Sequence, residues 1–108
     1  MYQLSFYVPE THLETVKTAV FTAGAGKIGT YEKCCWQTPG AGQYQPSTGS
    51  DPYQGTADKL ETVNEYKVEL VVAEDKIKPV CDALLRAHPY ETPAYHYIKV
   101  QTIDDLAT

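Results

Sequence analysis

The sequence predicts an α+β fold of the ferredoxin-like type, in which two βαβ halves lay two helices on one face of a four-stranded antiparallel sheet. Three observations predict it. Residues 2–8 and 66–72 alternate apolar and polar side chains, as strands with one buried face do. Each run leads through an acidic stretch into apolar residues at helical spacing. The layout of "LSFYVPETHLETVKTAVFTAGAG" then returns in "VELVVAEDKIKPVCDALLRAHPYE", so the order reads strand, helix, strand, strand, helix, strand. At 108 residues the chain fits one domain over 1–108 with a single core.

Each element has its own justification. Tyr2, Leu4, Phe6 and Val8 share one face of the first strand, which Pro9 ends. "THLE" has the form of a capping box, with Thr11 as N-cap and Glu14 reaching back. Leu13, Val16, Val20 and Ala23 form the helical stripe, and Gly24 supplies its stop. The second strand is placed at about 28–38, "IGTYEKCCWQT", with Thr30, Cys34 and Trp36 on one face and Cys34 and Trp36 packing inward. Residues 39–58 hold four Gly and three Pro with no Lys or Arg, which predicts a long loop, functional or mobile. Tyr66, Val68, Leu70 and Val72 face inward from the third strand; Ile77, Val80, Cys81, Leu84 and Leu85 are the stripe of the second helix. Pro79 sits near that helix's first turn, where a missing N–H is tolerated. The last strand is "AYHYIKV", 94–100, and the tail "QTIDDLAT" trails or adds an edge contact.

Charge and composition exclude several classes. A formal net charge of −5 with no Lys/Arg cluster argues against nucleic acid and against an anionic membrane surface. No apolar run approaches the ~18 residues of a membrane span, and "MYQLSFYVPE" lacks a signal sequence, which predicts a cytoplasmic address. Cys34, Cys35 and Cys81, with no C-x-x-C spacing, read as reduced thiols.

Two motifs raise chemistry. "GAGKIG" matches the dinucleotide fingerprint at Gly24, Gly26 and Gly29, but a helix precedes it and a strand follows, the reverse of the order that fingerprint needs. A left-handed helix stop and tight turn is the favoured reading, with an anion site of backbone amides shared between subunits as the other. "HPYETPAYHY", 88–97, offers His88, Glu91 and His96 as metal ligands. The structural alternative makes His88 a partner of the helix C-terminal dipole, Pro89 and Pro93 a brace, and Glu91 an acceptor of backbone N–H groups. His12 reads as solvated. With no Ser/His/Asp order, no acid–base pair and no phosphate loop, the sequence by itself predicts no enzyme.

A resemblance adds to these readings. "GAGKIGTYEKCCWQTPGAGQYQPSTGSDPYQG", "LETVNEYKVELVV" and "LLRAHPYETPAYHYI" closely resemble the domain inserted in the middle of YqfO-type proteins, bacterial members of the Nif-three-like family, over about Gln3 to Val100. The pattern includes Gly26, Gly29 and Tyr31, and then His88, Pro89, Tyr90 and Glu91, which makes these seven the ligand or interface candidates. "HPYETP" also resembles the matching segment of CutA proteins, which share a ferredoxin-like fold and trimeric assembly with PII signalling proteins. In PII proteins the connection between strands two and three carries a partner-binding loop; the likeness of 39–58 to it is positional.

The resemblance implies a small, cytoplasmic, PII/CutA-like binding or regulatory module, non-catalytic and homo-oligomeric, with a trimer favoured and a protein partner expected. The two-metal site of YqfO-type proteins belongs to flanking halves and carries over to no position here. An accessory subunit for partners resembling those halves is the next reading. Divalent-metal binding through His88 and Glu91, as CutA suggests, is the third.

Overall fold

The computed structural model describes residues 1–106. Strand β1 spans Tyr2–Pro9, helix α1 Leu13–Thr22, β2 Trp36–Tyr44, β3 Glu61–Val72, helix α2 Ile77–Ala87 and β4 Tyr95–Lys99. The four strands form one antiparallel sheet in the order β2-β3-β1-β4, the ferredoxin-like arrangement that the internal repeat predicts.

Alternation decides which face is covered. Leu4, Phe6 and Val8 of β1 and Val68, Leu70 and Val72 of β3 point to the helices and are buried. Leu13, Val16 and Val20 of α1 and Val80, Cys81 and Leu84 of α2 meet them. Leu85 is exposed at 43%, just off this stripe. Pro79 is the third residue of α2, still among the N–H positions that have no intrahelical partner.

The start of α1 departs from the expected capping box. A single 3₁₀ turn, Glu10–His12, precedes the helix, His12 takes the cap position and no side chain caps it. Thr11 Oγ1 instead meets His12 Nδ1 at 2.9 Å, and Glu14 pairs with Lys17 at 3.1 Å. The helix ends as predicted. Gly24, at φ +121°, lets its own N–H donate to the Phe21 carbonyl and the Ala25 N–H to that of Val20, a Schellman closure.

The second strand lies later in the chain than the sequence suggests. Residues 28–31 form a tight turn in which Ile28 and Tyr31 exchange N–H···O bonds of 3.0 and 2.9 Å, and Lys33 sits at φ +57°, so the chain becomes extended only at Trp36. It then stays extended to Tyr44, through Pro39, Gly40 and Gly42. β2 is a sheet edge, and an edge strand tolerates a residue that cannot donate. The predicted loop at 39–58 thus contracts to a connection over 45–60. That connection is tied down: the Asp58 N–H donates to the Pro46 carbonyl at 2.6 Å, and Tyr44 Oη to the Gln54 carbonyl at 2.6 Å.

Trp36 does not pack inward. It is 70% exposed, with Nε1 donating to Thr38 Oγ1 at 3.0 Å, and Cys35 rather than Cys34 packs against the core. Beyond Lys99 the Val100 N–H bonds the Met1 carbonyl and a capped 3₁₀ turn runs Ile103–Asp105; the end of the predicted tail, 107–108, lies outside the described residues. Among the described residues no helix is long and apolar enough to cross a membrane.

Candidate functional site

The seven candidate residues fall at two ends of the sheet. Gly26 donates its N–H to the Val71 carbonyl at 2.9 Å, beside Gln3 of β1, whereas the His88 ring meets the carbonyl of Tyr7. Four strand positions separate them, roughly 13 Å at ~3.3 Å per residue.

At the first end the glycines serve the turn. Gly26 is buried at φ +79°, and a Cβ there would meet the Cys34 carbonyl oxygen and the Phe21 ring, each at 2.8 Å. Gly29, at φ +59°, faces open space. Tyr31 is 73% exposed.

At the second end the chain builds a polar site. His88 follows the last turn of α2, with its N–H on the Leu84 carbonyl at 2.9 Å, and its extended backbone leads into Pro89. Its ring is 6% exposed. Nδ1 accepts the Tyr90 N–H at 3.1 Å, so the proton sits on Nε2, which donates to the Tyr7 carbonyl at 2.6 Å. Burial pushes the imidazole below its ordinary pKa, against the opposing pull of the Tyr7 carbonyl and Glu65. The ring is a neutral brace that locks the exit of α2 onto β1.

This geometry does not fit the metal expected at His88 and Glu91. Both imidazole nitrogens are committed to backbone groups, and the Glu91 carboxylate accepts the Asp51 N–H at 2.9 Å. His96 is exposed on β4 opposite Ser5. Among the described residues no group of three His, Cys, Asp or Glu side chains is placed to hold an ion. Glu91 does accept a backbone amide, as the structural reading of the motif expects, but the donor belongs to the 45–60 connection.

The brace positions a cleft of about 800 Å³ on the sheet face that the helices leave uncovered. Thr38, Gly40 and Gly42 of β2 and Glu65, Lys67 and Glu69 of β3 form its floor, as their pairing requires. Tyr53 of the connection, with Tyr90 and Glu91 of the turn, forms the walls. Tyr90 Oη donates to Glu65 Oε2 at 2.7 Å. Burial, then that hydrogen bond and the carboxylate's charge, push the Tyr90 phenol well above its ordinary range. Burial, Glu61 and Glu65 raise Tyr44 as well. The Tyr44 and Tyr53 rings stand 5.9 and 6.3 Å from Tyr90, tilted by 56° and 48°. The arrangement can hold a ring between tyrosines and accept its N–H groups.

Glu65, Tyr44, Tyr53 and Gly42 are absent from the sequence-based candidates. One signal was present for Glu65: its alternation put it on the uncovered face, opposite the inward Tyr66 and Val68.

No family model matches the chain. The GTP cyclohydrolase 1 type 2 homolog of Halalkalibacterium halodurans is 41% identical over 95 residues, which cover 88% of this chain and 26% of that protein. The crystal structure of a Bacillus cereus protein related to NIF3 matches with a TM-score of 0.79 and 33% identity, over 94% of this chain and 26% of the other. The chain resembles one domain of a YqfO-type, Nif-three-like protein. It spans about a quarter of the length of the curated relatives it matches. The PII-like protein CutA from Nostoc sp. PCC 7120 shares its fold, with a TM-score of 0.67 at 17% identity over 98% of this chain and 86% of that one.

These comparisons bear out the resemblance to YqfO-type and CutA-like proteins. They overturn the expectation that the chain is no enzyme, because the relatives are named GTP cyclohydrolase 1 type 2 homolog. The lack of a triad, an acid–base pair and a phosphate loop was too narrow a ground in a chain that matches only 26% of that protein.

Proposed function

We propose that this chain is a small cytoplasmic binding or regulatory module of PII/CutA-like type, a single domain over 1–108 that binds a small molecule in the tyrosine-lined cleft. The observation that carries this reading is the cleft itself. Strand β2 with its following connection, 38–53, strand β3 at 65–69 and the turn at 90–94 meet there, and hydrogen bonds from Tyr90 to Glu65 and from Asp51 to Glu91 hold them. A mostly pre-formed concavity with few, convergent polar groups is the usual form of a ligand site.

The test is amide NMR of the full chain against pooled neutral, cationic and anionic metabolites. Saturable shifts confined to 38–54, 65–69 and 88–94 are expected; a survey in which no pool moves these signals rejects the reading.

Assembly as a homo-oligomer, a trimer, belongs to the same reading. Trp36 and Ile98, 70% and 54% exposed, stand with Val71 on the uncovered face, where Gln3 and Glu69 lie among them, and a second copy would cover them. Light scattering should give three times the 12.0 kDa chain mass, and a 12.0 kDa species at micromolar concentration would count against assembly. A second reading makes the chain an accessory subunit for a partner resembling the rest of a YqfO-type protein, which its match to only 26% of such a protein supports.

A further inference from the structure

We propose that the cleft selects a flat, N–H-donating heterocycle that is neutral or cationic, of nucleobase or nucleoside type, and rejects the same ring when it carries a polyphosphate. The proposal rests on the reading of the cleft as a ligand site and narrows it to a ligand class.

Charge is the first argument. The charged lining comprises the carboxylates of Glu65, Glu69 and Glu91 against one ammonium, Lys67, and Lys67 is already paired with Glu69 at 3.5 Å. Gln3 Nε2 occupies the other Glu69 oxygen at 3.1 Å. A phosphate entering here meets two uncompensated carboxylates and no free cation.

Hydrogen bonding is the second. Glu65 receives Tyr90 Oη on Oε2, and among the described residues nothing donates to Oε1. That oxygen lies across β2 at Gly42, where any Cβ would collide with it. The chain therefore keeps one carboxylate oxygen open toward the cleft, held from one side by a phenol and given room on the other by a glycine. An N–H group on the edge of a planar ring matches such an oxygen.

Shape is the third. The Tyr44 and Tyr53 rings are tilted against Tyr90 rather than stacked on it, while His88 lies against Tyr90 and His12 meets Tyr53 edge to face. Tyr53 is 52% exposed and lines the cleft. Base–aromatic stacking supplies affinity without demanding a particular base.

Three probes share or vary one ring: guanosine, 1-methylguanosine, which lacks the ring N–H, and guanosine triphosphate. Titrated into the full chain and followed on the tyrosine ring and 38–54 amide signals, guanosine should bind about tenfold more tightly than either analogue. Glu65→Gln should weaken guanosine about tenfold and bring the triphosphate closer to it. Tyr53→Ala, at a residue 52% exposed, should weaken guanosine without altering the order of the three. Triphosphate binding as tightly as guanosine overturns the inference and leaves the cleft standing as a ligand site. Absence of guanosine shifts at these tyrosines overturns it also, whether the cleft then proves to take another metabolite class or a segment of a second copy.

Discussion

The two helices leave the sheet by the same βα plan and close in opposite ways. α1 exits through glycine: Gly24 and Gly26 adopt left-handed backbone, and the closure is made by main-chain groups alone. α2 exits through a buried imidazole, whose two nitrogens join the Tyr7 carbonyl to the Tyr90 N–H. A glycine closure aims no side chain anywhere. The histidine closure fixes Tyr90 against Glu65 and so builds the cleft wall. In a repeated fold, the half that closes with a polar side chain is the half that can place chemistry.

The largest effect that would break this contrast is at His88. His88→Ala leaves the Tyr7 carbonyl and the Tyr90 N–H without partners in a buried site, and should cost roughly 2–4 kcal/mol in urea denaturation. A loss below ~1 kcal/mol would mean that the brace is dispensable. At the glycine end, Gly26→Ala meets both a left-handed φ and two contacts at 2.8 Å, and should cost about 2–3 kcal/mol. Gly29→Ala meets the φ but open space, and should cost only ~1 kcal/mol. Equal thermal shifts for the two would show that conformation, not close approach, governs this exit.

The smallest expected effect is a pH dependence carried by His88. Burial lowers its folded pKa below 6.5, so the unfolded chain binds the proton more readily. Its contribution is fully present above about pH 6.5 and is lost as pH falls from there toward the depressed folded value. The charge of Glu65 raises the pKa of this imidazole and His12 lowers it. Chemical denaturation between pH 5 and 8 should show stability falling with acid in the native chain, and a shallower fall in His88→Gln. Parallel curves would assign the pH dependence to other groups.

Much of the fold was legible because alternation and repetition are local signals. β1, β3 and both helical stripes lie in contiguous residues whose burial follows from their period. β2 was displaced because its own residues, Pro39, Gly40 and Gly42, are those that usually punctuate strands; only the sheet's edge position makes them acceptable. Of the site, His88, Tyr90 and Glu91 stood together in one motif and were visible. Tyr44, Tyr53 and Glu65 approach them only through the β2–β3 pairing and the folded connection, which no spacing along the chain records.

Gly42 and Glu65 have a consequence for inheritance. The carboxylate occupies the volume that a side chain at 42 would need, so the two positions form one steric unit although they lie 23 residues apart in the chain. A lineage that acquires a side chain at 42 must shorten or move the one at 65, and the open oxygen in the cleft goes with it. Those two columns should change together as sequences diverge, while Gly40, with nothing within 4 Å of its would-be Cβ, drifts on its own.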